Sequence, residues 1–295
     1  MVPNQVRWII AACVLVALGG ALYWESRGRD DGSFQAVFFG EDGVIVMDET
    51  NALPDLRAYN QAGDDAFGQK SQRAFLLKSQ ISGLVFDHVP DTVPPLLEQA
   101  DQVYSELRAE QPDNADLAYS HANLYLVVGM GYLGEEAWDK ANTALVRAAD
   151  IYSERRFDGP AGRMQLDQLS QMEALTSAAC FGLGQLEKTV SHLEAALGYT
   201  EAVWSLNPHE QRSVGIMGIR LLALAEAVFY VTGDDARALN LIERGMSLHR
   251  GAYERDPNQI VNIVSASYMA MKGAGILLDA DRLDEAETYI NSTLG

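Results

Sequence analysis

The chain has 295 residues, 48% of them hydrophobic, which is enough for a packed core and excludes a disordered polymer. Its 41 acidic residues outnumber 22 basic ones, for a formal net charge of -19, and that field repels nucleic-acid phosphates and anionic lipid headgroups as broad partners. The two cysteines, Cys13 and Cys180, form no CxxC and exclude a disulfide framework.

Residues 1–7 form a short leader. Trp8 to Trp24, WIIAACVLVALGGALYW, carries no charge and rises about 25 Å as a helix, near the lower limit for crossing a bilayer. Trp8, Tyr23 and Trp24 mark its ends, where amphipathic rings prefer the interface. A cleaved signal peptide needs small residues at its cleavage site, and Ala-Leu-Tyr-Trp-Glu offers a poor one. Ile10-Ala11-Ala12-Cys13 has the look of a lipobox, yet the apolar run continues past the cysteine. A retained signal anchor over 8–24 fits best, with the N-terminus inside and the bulk outside the cytoplasm.

Residues 25–33, ESRGRDDGS, read as a linker. Phe34 to Phe39 and Val44 to Met47 flank Gly-Glu-Asp-Gly, which predicts a β-hairpin over 34–47. A helix is predicted from Ala66 to Phe86, making 34–95 a hairpin plus a helical entry segment. The prolines between Pro90 and Pro95 break that pattern.

From Leu96 the chain is nearly all helical by pattern, and it repeats. Pro112, Pro160, Pro208 and Pro257 are 48, 48 and 49 residues apart. Such a fixed period signals a solenoid. Within each period a break divides two helices: Gly129 to Gly134, Gly184, Gly233-Asp234-Asp235 and Ala280-Asp281. Asp234 and Asp235 read as helix-start residues.

Leu96 to Pro112, with small Ala100 and large Tyr104, resembles the second helix of a tetratricopeptide repeat. Residues 233–248 resemble that family's inter-helix turn, with Ala238, Ile242 and Gly245, and 281–290 repeat the idea with Leu283, Ala286 and Ile290. Ala122, Tyr125 and Gly129 fit the first helix, and Ser177 and Cys180 fit it loosely. The family's unit is about 34 residues. The longer period here adds roughly two turns to each helix. The resemblance implies an all-α solenoid of stacked antiparallel helix hairpins over 96–295. It also implies a groove lined by first helices over 115–128, 165–183, 212–232 and 259–279. Tyr119, Asn123, Arg220 and Tyr268 are the candidate groove residues.

Catalytic patterns are weak. Gly129 to Gly134 matches GxGxxG, but it falls at a repeat turn after a helical pattern, and no acidic-ended second strand follows. A tight turn with close helix contact explains it better. His88, His121, His192, His209 and His249 show no metal-ligand spacing, and HExxH, GxSxG and P-loop patterns are absent. No cofactor is implied. The expectation is a membrane-anchored scaffold or adaptor rather than an enzyme. Its partner would be a protein, a peptide or subunits of a membrane complex. The alternative is a small-molecule-binding helical-repeat accessory protein of a solute transporter. Residues 284–294 read as a short last helix, with either an abrupt end or docking on a partner.

Overall fold

The computed structural model describes residues 66–85, 89–208 and 210–294. The anchor over 8–24, the linker and the hairpin over 34–47 lie outside the described residues. Among the described residues every regular element is an α-helix, and there are ten: α1 (Ala66–Leu84), α2 (Val93–Glu110), α3 (Ala115–Gly134), α4 (Trp138–Ser153), α5 (Gly159–Gly182), α6 (Leu186–Leu206), α7 (Gln211–Thr232), α8 (Asp235–Arg255), α9 (Ile260–Asp279) and α10 (Leu283–Leu294). The chain divides into two compact units after Gln165, inside α5.

Local chemistry sets the helix ends. The helical pattern does break between Leu84 and Val93, and Pro94 and Pro95 open α2, because the first helical positions need no N–H donor. The Asn114 side chain accepts from the backbone N–H groups of Asp116 and Leu117 at 3.1 and 3.2 Å and starts α3. The Asp234 side chain accepts from Arg237 N–H at 2.9 Å and starts α8, as its sequence position predicted.

The hairpin turns share one backbone solution. Each of the α3–α4, α5–α6, α7–α8 and α9–α10 turns holds one left-handed residue: Glu136 (φ 57°), Gly184 (φ 71°), Gly233 (φ 69°) and Asp281 (φ 58°). These positions are 48, 49 and 48 residues apart. In three of them the next residue's N–H closes back five residues: Ala137 to Tyr132 O (2.9 Å), Gln185 to Cys180 O (2.8 Å) and Arg282 to Leu277 O (2.8 Å). That is the Schellman closure, which satisfies carbonyls orphaned at a helix end. Gly233 uses the simpler closure to Phe229 O at 2.9 Å.

Helices pack on their neighbours in sequence. In the first unit α2 packs on α1 and α3, and α3 packs on α4. In the second, α6 packs on α7, α7 on α8 and α9, α8 on α9, and α9 on α10. Small residues permit these approaches. A methyl on Gly129 would lie 2.7 Å from the Leu145 side chain, and one on Gly131 would lie 2.4 Å from Val85. Gly129 and Gly131 therefore sit inside α3 as helix-contact positions, while a methyl on Gly134, the last residue of α3, would meet nothing within 4 Å. The turn falls beyond them, at Glu135–Ala137, because this close packing needs helical backbone. Ala100, Tyr104, Ala122, Ala238 and Ile242 are all buried, as the repeat pattern predicted. Leu283 is exposed, and of the three positions singled out in 281–290 only Ala286 is buried.

Candidate interaction surface

Side-chain ties join first helices in the second unit. Lys272 of α9 bonds Glu226 of α7 at 2.6 Å, and Tyr230 of α7 donates to Asp279 of α9 at 3.2 Å. Asn262 of α9 and Gln211 of α7 exchange two amide bonds at 2.8 and 3.0 Å. His249 of α8 donates from Nδ1 to the same Asn262 oxygen at 3.2 Å, so one fully buried asparagine pins three helices. Burial holds the His249 imidazole below its usual pKa. Second helices are tied in the same way: Arg237 of α8 meets Glu194 of α6, and Arg244 meets Glu201, each at 2.5 Å.

The first unit uses a charged joint. Asp101 of α2 accepts from His121 Nε2 and from the Tyr125 hydroxyl of α3, both at 2.8 Å. Arg108 lies 3.3 Å from His121 Nδ1. A guanidinium only donates, so Nδ1 accepts and the proton sits on Nε2, facing Asp101. Burial lowers the His121 pKa despite its carboxylate partner. Burial alone would raise the Asp101 carboxyl, but the bonds from His121 and Tyr125 outweigh it and lower it.

The four candidate groove residues have separate environments. Tyr119 and Asn123 are half-buried on α3, with the Tyr119 ring 6.0 Å from that of Tyr152. Arg220 is buried on α7, where its Nε donates to Ser170 Oγ of α5 at 3.1 Å. Ser170 also reaches Ala196 O and the Thr200 hydroxyl of α6. Tyr268 is exposed on α9 under the Lys272 ammonium, 5.5 Å from the ring centroid.

The sequence reading missed two features. His192 of α6 lies 2.6 Å from Glu173 of α5 and hydrogen-bonds Cys180. The Cys180 sulfur and the Glu173 carboxylate raise its imidazole to about 9. Residues 19 and 12 apart in sequence carry no spacing signal for such a triad. The second is α9 itself, where Ile260 (65% exposed), Val264 (59%) and Met271 (63%) lie open to solvent with Tyr268 and Leu278. Steps of four, four, three and seven residues place these five on one side of a helix. The opposite side, Asn262, Ala266, Met269, Ala270, Gly273 and Leu277, is buried.

By length and composition α7 and α9 could each cross a membrane, and 50% and 44% of their most apolar stretches are buried inside the protein. Among the described residues no group of three or more His, Cys, Asp or Glu is placed to hold a metal ion. No protein-family model matches the chain, and no curated protein matches it.

Proposed function

We propose that this protein is a membrane-anchored scaffold of tetratricopeptide-like hairpins that holds a protein partner at the outer face of a cytoplasmic-type membrane. The observation that carries this reading is the recurrence of one left-handed turn at 136, 184, 233 and 281, each joining a helical hairpin. Ties between successive hairpins support it, since a lone hairpin cannot bury its apolar face and must stack. They include Glu226 to Lys272, 46 residues apart, and Tyr230 to Asp279, 49 apart. The uncharged run over 8–24 supplies the anchor, placing the acidic bulk outside. α7 and α9 are core helices in this reading, because the charged residues Arg220, Glu226, Lys272 and Asp279 within them are bonded inside the protein.

Crosslinking mass spectrometry on the full chain extracted from its native membrane tests the proposal. Crosslinks from one dominant partner to α3, α5, α7 or α9 are expected. Recovery of the chain with self-crosslinks alone sinks the scaffold reading.

A further inference from the structure

The open face of α9 is anomalous for a surface helix. A helix that is apolar all round belongs inside a protein. Only one side of α9 is covered, and Ile260, Val264, Tyr268, Met271 and Leu278 leave an apolar stripe about 27 Å long in water, at 1.5 Å per residue. Scattered exposed apolar side chains are ordinary, but a continuous stripe marks an interaction surface.

Charge around the stripe selects its occupant. Glu254 and Asp256 precede it, and Asp279, Asp281, Asp284 and Glu285 follow it. The cations near its C-terminal half are already held: Lys272 by Glu226 at 2.6 Å, and Arg282 by Asp235 and by Glu285 at 2.6 Å. Arg255 stands between Glu254 and Asp256. The surface therefore offers an apolar strip with exposed acidic residues beyond both of its ends. An extended strand laid on it would bury backbone N–H and C=O groups against carbon, at a desolvation cost. A helix satisfies its own backbone and meets the strip with side chains. A second copy of this chain would bring the same acidic ends and a net charge of -19, which disfavours pairing.

We infer that α9 docks an amphipathic helix of a partner protein, lying lengthwise, with leucine-type residues on the strip and lysine or arginine at its two ends. This rests on the scaffold reading and supplies the partner's chemistry.

The test titrates the full chain into fluorescent synthetic helices of about 20 residues, long enough to span the strip at 1.5 Å per residue. One probe carries leucine on one face and lysine at both ends, and the other carries glutamate in place of lysine. The lysine probe is expected to bind at least about tenfold more tightly than the glutamate probe, with the gap closing in high salt. Val264→Asp with Met271→Asp, both solvent-exposed and so compatible with folding, should weaken the lysine probe by at least about tenfold. Asp279→Lys with Asp284→Lys should move the preference towards the glutamate probe. Equal binding of the two probes overturns the inference, as does binding that survives Val264→Asp with Met271→Asp. A concentration-dependent dimer abolished by that pair would assign the face to a second copy instead. Adsorption to phosphatidylcholine vesicles abolished by the pair would assign it to lipid. Native-membrane crosslinks landing on α5 or α7, with no lysine-probe binding, overturn this inference and leave the scaffold reading standing. A crosslink map without any partner overturns the scaffold reading itself.

Discussion

The unit spanning 66–165 ties α2 to α3 with a charged joint, whereas the unit spanning 166–294 adds to its ion pairs a neutral amide joint among α7, α8 and α9. Asp101, His121, Tyr125 and Arg108 form the first joint. Asn262, Gln211 and His249 form the second. Each includes a buried histidine in a fixed tautomer, yet the acceptor is a carboxylate in one and a carboxamide in the other. A neutral joint can be fully buried, and Asn262 is. A carboxylate keeps access to water because dehydrating it is expensive, and Asp101 retains 27% side-chain exposure. The two units therefore differ in what disturbs them.

The largest expected effect comes from breaking the buried joint. Asn262→Ala leaves Gln211 and His249 without their shared partner and should cost about 3 kcal/mol, while Asp101→Ala should cost about 2 kcal/mol, since water can reach its site. Hydrogen exchange resolves the two, with protection lost over α7–α9 in one variant and over α2–α3 in the other. Equal losses in both units would dissolve the distinction.

Next come the close helix contacts. A methyl at Gly218 would meet His249 Nε2 at 2.1 Å, and one at Gly131 would meet Val85 at 2.4 Å and Val89 at 2.7 Å. Gly218→Ala and Gly131→Ala should each cost about 2 kcal/mol by overpacking, read from urea unfolding. A gain in stability at either position would show that the glycine is not a contact residue.

A graded effect follows from pH. His121 and His249 have folded pKa values below the unfolded value near 6.5, so the unfolded chain binds more protons there and stability falls as pH drops through 6.5. His192 has the opposite sign. Its folded pKa of about 9 stabilises fully below 6.5, and that contribution is lost as pH rises towards 9. Thermal melts of His192→Gln should therefore lose slope between about pH 6.5 and 9, and those of His249→Gln should lose slope below about pH 6.5. An unchanged slope in either variant would remove that histidine from the account.

The smallest expected change tests an imperfection of the first unit. The Tyr152 hydroxyl is buried without a hydrogen-bond partner, and burial raises its pKa. Tyr152→Phe should be neutral or stabilising by up to about 1 kcal/mol, because it removes a desolvated donor and leaves no acceptor behind. A clear loss of stability would reveal a partner for that hydroxyl.

Much of the architecture was legible in the sequence. The prolines at 112, 160, 208 and 257 lie at or near the starts of loops or helices, and the breaks near 184, 233 and 280 mark hairpin turns. Caps and left-handed turns are local, so Asp234 and Gly233 announce themselves. Glu136 does not, because a side chain that rarely adopts positive φ gives no signal when tertiary packing fixes the turn. Gly129 and Gly131 show the same limit. A glycine reads as a breaker until the facing residue is known; Leu145 faces Gly129 from inside α4, and Val85 faces Gly131 from just past the end of α1.

By itself the sequence determined the helical class of the described residues, the spacing of their hairpins and the acidic charge, since periodicity, capping and charge are properties of short segments. Only the tertiary structure decided which side of each apolar helix is covered. α7 and α9 look alike as strings of apolar residues, yet Leu221, Leu224 and Val228 of α7 are buried while Ile260, Val264 and Met271 of α9 face water. It likewise placed Arg220 against Ser170 and His192 against Glu173. Burial depends on which helices pack alongside, and that is set by contacts between residues tens of positions apart.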